Sequence, residues 1–550
     1  MLSRYRGRTS CPECAGTRLK KEANYVKIQG TSVSELMLMP LHDVLAFFTT
    51  LKLSKFEAEV AKRILKEITS RLEFLCNVGL EYLTLNRLSN TLSGGESQRI
   101  HLATSLGSSL VGSMYILDEP SIGLHPRDSH RLLNVLQQLR DQGNTVIVVE
   151  HEEEIIRNAD YLIDIGPEAG AFGGELVFEG SPKDIVKIGK TLTADYLSGK
   201  KKIEVAKKKK KFSDFVSLTG ASLHNLKGVD IQFPLHAFTA VSGVSGSGKS
   251  TLIKSILYPA LSNHLNGIGE SSKNYDELSG ALKSIKAIEF VDQNPIGKSS
   301  RSNPATYLKI YDDIRALFTS QPLAKQRNMK PAFFSFNVAG GRCEACEGEG
   351  YQTIEMQFMA DVELLCEECH GKRFKEEVLE VTYNGKNIAD VLDLTVNEAI
   401  DFFSEEKTSA GKNIVSKLLP LRDVGLDYVK LGQSNSSLSG GEAQRIKLAS
   451  FLMKGPNQPH TLFIFDEPTT GLHFHDVQKL MITFQSLLAQ GHTIIAIEHH
   501  GDVIRCSDWV IDIGPEGGVK GGEIMYCGEF DKFEKTKSLT AEFLFRASNK

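Results

Sequence analysis

The most constraining feature of this chain is an internal duplication of three short motifs. The segment LSGGESQRI at 92–100 returns as LSGGEAQRI at 438–446. Each copy is followed by an apolar run ending in Asp-Glu-Pro, at 118–120 and 466–468, and by a second run ending in Glu-His, at 150–151 and 498–499. The interval from the Asp to the His is 33 residues in both copies. A repeat at constant spacing predicts two units of the same fold.

A phosphate-binding loop is found only in the second half. The segment GVSGSGKS at 243–250 matches G-x4-G-K-S/T and lies between a strand-like run and a helical pattern, the context that this motif requires. Its glycines let backbone N–H groups turn towards the β- and γ-phosphates, and the following helix adds the positive end of its dipole. We expect the nucleotide phosphates to be bound by Gly243, Val244, Ser245, Gly246, Ser247, Gly248, Lys249, Ser250 and Thr251. Lys249 supplies a point charge, and the Ser250 hydroxyl is placed to coordinate Mg²⁺.

Carboxylates and a histidine follow buried strands in the second half. The run 463–465 ends in Asp466 and Glu467, and buried strands seldom end so unless a cation or a water molecule needs them. We expect Asp466 to hold the Mg²⁺ shell and Glu467 to orient or deprotonate the attacking water. His499, which ends the next strand, is the expected sensor of the γ-phosphate. Its repeat at His151 argues against a purely structural histidine.

Four cysteines predict a zinc site. Cys343-x2-Cys346 and Cys366-x2-Cys369 are separated by 19 residues, within the spacing of a tetrahedral zinc ribbon. A redox dithiol explains two such pairs less well than one ion does. A third pair, Cys11 and Cys14, resembles half of such a site and has no partner pair in the sequence, so we do not expect it to bind metal.

The composition is that of a cytoplasmic globular protein with several domains. The 550 residues are 41% hydrophobic and 24% charged, with a net charge of −4, so any basic surface has to be local. No apolar run approaches the roughly 20 residues needed to span a bilayer, and the N-terminus has no signal-peptide core. The lysine-rich run near 200–211 is a solvated linker or a contact for nucleic-acid phosphates.

The phosphate loop, the two LSGGE-x-QRI segments, Asp-Glu-Pro and the final His together resemble ABC-type ATPases. The resemblance implies an α/β fold of tandem cassettes: parallel sheets with flanking helices, helical signature domains and an inserted zinc ribbon. Such cassettes work head to tail, so Ser93, Gly94 and Gly95 would complete the site of the second phosphate loop. The sister site would combine Ser439, Gly440, Gly441, Asp118, Glu119 and His151, with no phosphate loop in this sequence.

With the zinc ribbons, the chain resembles the UvrA family, the damage-recognition ATPases of bacterial nucleotide excision repair. The segments that carry this resemblance are VDQNPIG at 291–297, RSNPATY at 301–307, FSFN at 334–337, GGRCEAC at 340–346 and DEPSIGLH at 118–125. The resemblance implies ATP, Mg²⁺ and Zn²⁺ as cofactors, a homodimer that binds distorted duplex DNA, and UvrB as the recipient of the lesion. It also implies that Gln293 couples the nucleotide to the inserted domain, and that the chain has no nuclease activity of its own.

Family members are longer, so we expect an incomplete first cassette and a missing UvrB-binding domain. The expected divisions are 1–30 (half of a first zinc module), 31–198 (first cassette), 199–214 (linker), 215–335 (start of the second cassette), 336–375 (zinc ribbon), 376–460 (signature domain) and 461–550 (end of the second cassette). Candidate contacts to DNA phosphates are Lys298, Arg301, Arg342, Lys372 and Arg373, unless these are ordinary solvated charges. The alternatives are an ABC ATPase subunit of another system, such as a transporter, and a folded but inactive fragment.

Overall fold

A computed structural model describes residues 11–92, 94–106, 111–204, 211–267, 274–297, 299, 301–354, 362–405, 408–455 and 458–546. Ser93, Lys298 and the lysines at 207–210, all named above, lie outside these residues. Within them, no helix is both long enough and apolar enough to cross a membrane.

The first half alternates helices with short strands. In chain order its elements are β1 (Lys27–Ile28), β2 (Thr31–Ser32), α1 (Val33–Leu38), α2 (Leu41–Thr49), α3 (Lys55–Asn77), α4 (Gly94–Leu106), β3 (Met114–Asp118), α5 (Pro126–Asp141), β4 (Thr145–Val149), α6 (Glu153–Arg157), β5 (Leu162–Gly166), β6 (Glu175–Gly180), α7 (Pro182–Ile188) and α8 (Leu192–Leu197). Helices α1 to α3 occupy the stretch between the first cysteine pair and the first LSGGE segment.

The second half begins with three strands and the phosphate-loop helix. Its elements up to the cysteine cluster are β7 (Phe215–Ala221), β8 (Val229–Pro234), β9 (Phe238–Gly243), a π-helix at Thr251–Leu257, α9 (Tyr258–Leu265), β10 (Glu277–Gly280), β11 (Ala287–Val291), α10 (Pro304–Tyr307), α11 (Ile310–Thr319), α12 (Pro322–Gln326), β12 (Tyr351–Ile354) and β13 (Val362–Leu365). Strands β12 and β13 pair as an antiparallel ribbon between the two Cys-x-x-Cys pairs.

The remainder of the second half repeats the order of the first. Its elements are α13 (Glu376–Leu379), β14 (Thr382–Tyr383), β15 (Lys386–Asn387), α14 (Ile388–Asp393), α15 (Val396–Glu405), α16 (Ser409–Asp423), α17 (Gly440–Leu452), β16 (Thr461–Asp466), α18 (Phe474–Ala489), β17 (Thr493–Ile497), α19 (Gly501–Cys506), β18 (Trp509–Gly514), β19 (Glu523–Glu529) and α20 (Leu539–Arg546).

One six-stranded sheet forms the centre of the second half. Its order is β11-β16-β17-β9-β18-β19, parallel except for the last pair. Strands β9, β17 and β18 are buried along their whole length, as expected for a sheet covered by helices on both faces. The carboxyl ends of β9, β16 and β17 therefore meet at one edge, where Gly243, Asp466 and Glu498 lie.

The corresponding strands of the first half form two separate pairs. Strands β3 and β4 pair in parallel, like β16 and β17, and β5 and β6 pair antiparallel, like β18 and β19. Among the described residues, no strand joins β4 to β5 in the way that β9 joins β17 to β18. Alternate apolar side chains of these strands stay exposed: Ile116 keeps 69% of its surface and Ile165 67%, whereas Ile495 and Ile511 in the second half are fully buried.

Candidate nucleotide site and cysteine cluster

The phosphate-binding loop adopts the conformation that its glycines permit. After β9, Gly243, Gly246 and Gly248 have φ values of 131°, 73° and 116°, a region that side-chain-bearing residues rarely adopt. The Lys249 ammonium is buried and donates to the carbonyls of Gly243 at 2.9 Å and Val244 at 2.8 Å. Burial lowers the pKa of Lys249 to about 8, while the charge of Glu467 opposes that change.

The loop also holds buried polar atoms. The hydroxyl oxygens of Ser245 and Ser247 have no hydrogen-bond partner within the part of the chain that the structure describes. Buried hydroxyls are costly without a partner. Two such groups beside a lysine fit a loop that accommodates phosphate oxygens.

Asp466 and Glu467 end β16 beside this loop. Asp466 forms an ion pair with Lys254 on the helix after the loop. Glu467 has a φ of 46° and its carboxylate lies 3.9 Å from His499 Nε2. Although the Glu467 side chain is 29% exposed, its carboxylate lies deep among protein atoms, and this desolvation, together with the charge of Asp466, raises its pKa to about 7. Burial holds the pKa of His499 well below its usual value.

Two glutamines hold the segments around these carboxylates. Gln293, which follows β11, donates to the Glu467 carbonyl at 3.2 Å. Gln444 of the second LSGGE segment donates to the Val291 carbonyl at 3.0 Å and the Asp466 carbonyl at 3.2 Å. The structure thus places Gln293 against the backbone of the carboxylate loop, and it adds Gln444, which the sequence analysis did not single out.

The first half lies directly against the phosphate loop of the second. A β-carbon at Gly246 would be 2.8 Å from the Tyr82 ring, and Tyr82 also packs on Gly517 and Gly518. The Tyr82 hydroxyl donates to Glu96 at 2.5 Å, and Glu96 belongs to the first turn of α4, which begins at Gly94. Tyr82 therefore connects α4, the first signature helix because it contains most of the first LSGGE segment, with the phosphate loop. The sequence analysis missed it, because no motif marks it.

The loops after the two Asp-Glu-Pro motifs exchange contacts across the halves. A β-carbon at Gly123 would lie 3.0 Å from Glu467 Oε2, and one at Gly471 would lie 2.9 Å from Glu119 Oε2. In the first half, His151 Nε2 is 3.6 Å from Glu119 Oε1. These reciprocal contacts relate the two halves by a local two-fold symmetry.

The two histidines that follow these glycines are part of the same exchange. The His125 ring lies 6.3 Å from that of His499, and the His473 ring 6.2 Å from that of His151, both edge to face. The Gly-Leu-His repeat at 123–125 and 471–473 was the available sequence signal for these contacts.

The four predicted cysteine ligands form one buried cluster. The Sγ atoms of Cys343, Cys346, Cys366 and Cys369 all lie within 4.8 Å of one another. The cross pairs Cys343–Cys366 and Cys346–Cys369 are 3.9 and 3.6 Å apart. A tetrahedral zinc with bonds of about 2.3 Å needs sulfurs about 3.8 Å apart, so the cluster fits that ion. Among the described residues, Cys11 and Cys14 join no comparable group.

The arginines proposed for DNA contacts already have partners. Arg301 lies 3.2 Å from Glu347 and Arg342 lies 3.3 Å from Glu344. Arg373 packs on the Phe336 ring at 5.7 Å, and burial lowers its pKa. Lys372 is exposed. This leaves Lys372 as the more accessible candidate among the described ones.

Comparisons with known proteins give consistent relatives. UvrABC system protein A of Thermus thermophilus is 51% identical over 539 residues, which cover 98% of this chain and 56% of the relative. The Aquifex aeolicus protein of the same name is 51% identical over 538 residues, 97% of this chain and 57% of the relative. The crystal structure of UvrA2 from Deinococcus radiodurans superposes with a TM-score of 0.90 at 43% identity, covering 98% of this chain and 66% of that one. No protein-family model matches the chain.

The fold and the site define a class: a tandem ABC-type ATPase with a four-cysteine cluster inserted in its second half. The chain spans a little over half the length of the curated relatives it matches. Together with the relatives and the superposed structure, this architecture shows that the chain belongs to the UvrA family.

Proposed function

We propose that this chain is the ATP-hydrolysing, DNA-binding part of a damage-recognition protein in nucleotide excision repair. The observation that carries the proposal is the position of Tyr82. It ties the first signature helix to the phosphate loop of the second half, which is the head-to-tail arrangement that one composite ATP site requires.

In this site, the loop from Gly243 to Thr251 binds the nucleotide phosphates. Lys249 binds the β- and γ-phosphates, and Ser250 and Asp466 hold Mg²⁺. Mg²⁺ supplies charge neutralisation at the phosphates. Gly94 and Gly95, at the N-terminus of α4, offer backbone donors to the γ-phosphate from the first half. Ser93 of the same segment, outside the described residues, is assigned to this site from its motif.

Hydrolysis requires a base, a sensor and a coupling residue. Glu467 orients and deprotonates the water, and its raised pKa suits a group that takes up a proton near neutral pH. His499 contacts the γ-phosphate as a neutral imidazole, and Gln293 transmits the state of the site through the Glu467 backbone. The sister site, with Ser439, Gly440, Gly441, Asp118, Glu119 and His151, has no phosphate loop within this sequence.

The cysteine cluster holds a structural Zn²⁺, which fixes the ribbon β12–β13 and the basic residues around it. The partners we propose for this chain are damaged duplex DNA and a second copy of the chain. UvrB is proposed as a partner of the full-length members of the family. Shape and phosphate contacts would recognise the distorted duplex. The domain divisions given above, a cytoplasmic location and the lack of nuclease activity belong to the same proposal.

Turnover of ATP tests the nucleotide site. We expect Lys249→Ala and Glu467→Gln each to lower kcat by at least about a hundredfold. The matched controls are Lys532→Ala and Glu67→Gln, two exposed surface positions, which should stay within about twofold of wild type. Turnover that survives both site substitutions contradicts the assignment.

DNA binding is measured separately by fluorescence anisotropy, with a duplex carrying one bulky adduct and the undamaged duplex of the same sequence. We expect tighter binding of the damaged duplex and a fall in affinity with salt. Lys372→Ala should weaken both duplexes alike and reduce the salt slope by about one. Equal affinity for the two duplexes contradicts damage recognition.

A further inference from the structure

His125 is a buried histidine of the first half whose hydrogen bonds fix its tautomer. The side chain is 1% exposed and precedes α5, where Nδ1 accepts the Arg127 N–H at 3.2 Å and caps the helix. Since Nδ1 is an acceptor, the proton of the neutral ring is on Nε2. Burial and the charges of Lys249 and Arg127 lower the pKa of His125 to about 3, in agreement with a neutral ring.

The Nε2 proton points into the second half. His125 Nε2 lies 3.1 Å from Thr540 Oγ1 on α20, and Thr540 donates to Asp512 Oδ1 at 2.6 Å. Asp512, in β18, also accepts from Ser242 at 2.7 Å, and Ser242 is the residue immediately before Gly243 of the phosphate loop. A series of hydrogen bonds therefore connects the first half to the strand that carries the loop, and Thr540 and Ser242 both donate to Asp512.

The reciprocal contact, from His473 of the second half to the first half, has the same series of hydrogen bonds. His473 Nδ1 accepts the His475 N–H at 3.3 Å, Nε2 lies 3.1 Å from Thr193 Oγ1, and Thr193 donates to Asp164 at 3.0 Å. Two copies with the same atoms in the same roles, built from residues hundreds of positions apart, indicate a defined arrangement and not a chance contact.

His125 is also connected to Glu467 and His499 by the packing of its ring. The His125 ring contacts the His499 ring at 6.3 Å, and His499 lies beside Glu467. Gly123, two residues before His125, packs on Glu467 itself. The loop 119–125 thus forms one wall of the candidate catalytic pair, and its far end is held by Thr540.

We propose that His125 is a positioning residue for ATP hydrolysis. Through Thr540 and Asp512 it fixes the loop of the first half against Glu467 and His499 of the second, so that the base and the sensor are aligned only when the two halves are engaged. This rests on the proposed function, and it assigns to Thr540 and Asp512 a role that no ATPase motif marks.

The test separates the capping role of His125 from the contact to Thr540. His125→Asn keeps an acceptor near Nδ1 for the cap but does not reach Thr540, whereas His125→Gln reaches Thr540 and loses the cap. Thr540→Val removes the hydroxyl at nearly constant shape, and Thr540→Ser retains it. We expect His125→Asn and Thr540→Val each to lower kcat about three- to tenfold, with KM for ATP unchanged, because both lose the His125–Thr540 hydrogen bond. Thr540→Val also loses the hydrogen bond to Asp512.

We expect His125→Gln and Thr540→Ser to stay within about twofold of wild type, and the double variant His125→Asn/Thr540→Val to be no slower than the slower single variant. If His125 only caps α5, His125→Gln should have a lower kcat than His125→Asn, and that order overturns the proposal. Equal kcat for Thr540→Val and Thr540→Ser overturns it as well.

If Lys249→Ala turns over ATP as fast as wild type, the proposed function is refuted, and not the role of His125. The His125–Thr540 contact is then judged by the same double-variant cycle in urea unfolding, which needs no activity. Coupling between the two substitutions retains the contact, and strictly additive effects overturn it.

Discussion

The buried neutral histidines between the halves predict a specific loss of stability in acid. Burial lowers the pKa of His125 to about 3 and that of His473 to about 4, against a usual value of 6.5. The unfolded chain therefore binds protons that the folded chain does not, so the free energy of unfolding falls as pH falls below 6.5. The loss continues until the pH reaches the folded pKa.

The size of the effect follows from these values. Between pH 7 and pH 5, each histidine loses about 2 kcal/mol of stabilisation, because the unfolded form is almost fully protonated at pH 5 while the folded form stays neutral. Replacing His125 by Gln, which does not titrate, removes its share. Other buried histidines also contribute, so the informative quantity is the difference between wild type and His125→Gln at the two pH values.

The single tryptophan provides a local probe. Trp509 lies in β18, the strand that carries Asp512, and packs against Phe212 and Phe215. Urea unfolding is followed by the fluorescence of Trp509. From pH 7 to pH 5 the urea midpoint should fall by about 1 M less in His125→Gln than in wild type, if the free energy of unfolding changes with urea by about 2 kcal/mol/M.

The control is His130→Gln, an exposed histidine on the same helix, which should show the same midpoint drop as wild type. An equal drop in wild type and His125→Gln would refute the argument. It would show that His125 is not held neutral by its burial between the halves.

Three further substitutions test other parts of the structure. Cys366→Ser should reduce the zinc content from one ion to none by elemental analysis, while Cys527→Ser should keep it; zinc retained by Cys366→Ser contradicts the four-sulfur site. Gly246→Ala should weaken binding of a non-hydrolysable ATP analogue, measured by calorimetry, at least about tenfold, because φ is +73° and the new β-carbon would clash with Tyr82. The double variant Gly246→Ala/Tyr82→Ala should recover part of the lost affinity, and an unchanged affinity of Gly246→Ala refutes the contact. Phe463→Ala, at 2% exposure, should cost about 3–5 kcal/mol in urea unfolding, and a cost below about 1 kcal/mol contradicts its place in the core.

Local motifs predicted the parts of this fold that local geometry controls. The glycines of the phosphate loop need positive φ values, and the paired cysteines need only a ribbon of suitable length, so spacing alone placed both. The second signature helix starts where expected because Ser439 and Glu442 form a reciprocal cap, with the Glu442 N–H donating to Ser439 at 3.2 Å and the Ser439 N–H to Glu442 at 2.8 Å.

Contacts between the halves were not predictable in the same way. Tyr82 packs on Gly246, and Thr540 reaches His125 over a separation of 415 residues. Hydrophobic periodicity identifies the buried face of an element but not the element that covers it. The Gly-Leu-His repeat at 123–125 and 471–473 is present in the sequence, but only the structure showed that each copy contacts the other half.

The two copies of the hydrogen-bonded chain differ in a way that follows from the sheets. Asp512 accepts from three hydroxyls, of which Ser242 belongs to β9, while Thr193 is the hydroxyl donor to Asp164 among the described residues, and Asp164 Oδ2 is buried without a partner. The strand that would occupy the place of β9 between β4 and β5 is the one not found among those residues. That gap accounts for the missing counterpart of Ser242, which donates to Asp512 Oδ1, and for the exposure of Ile165. The unpaired Asp164 Oδ2 corresponds instead to the Asp512 oxygen that accepts from Ser538, just before α20. The hydrogen bonds from His473 end at Asp164, beside an incomplete sheet, whereas those from His125 end at Ser242, next to the phosphate loop. Only the hydrogen bonds from His125 can therefore align a nucleotide site within this sequence.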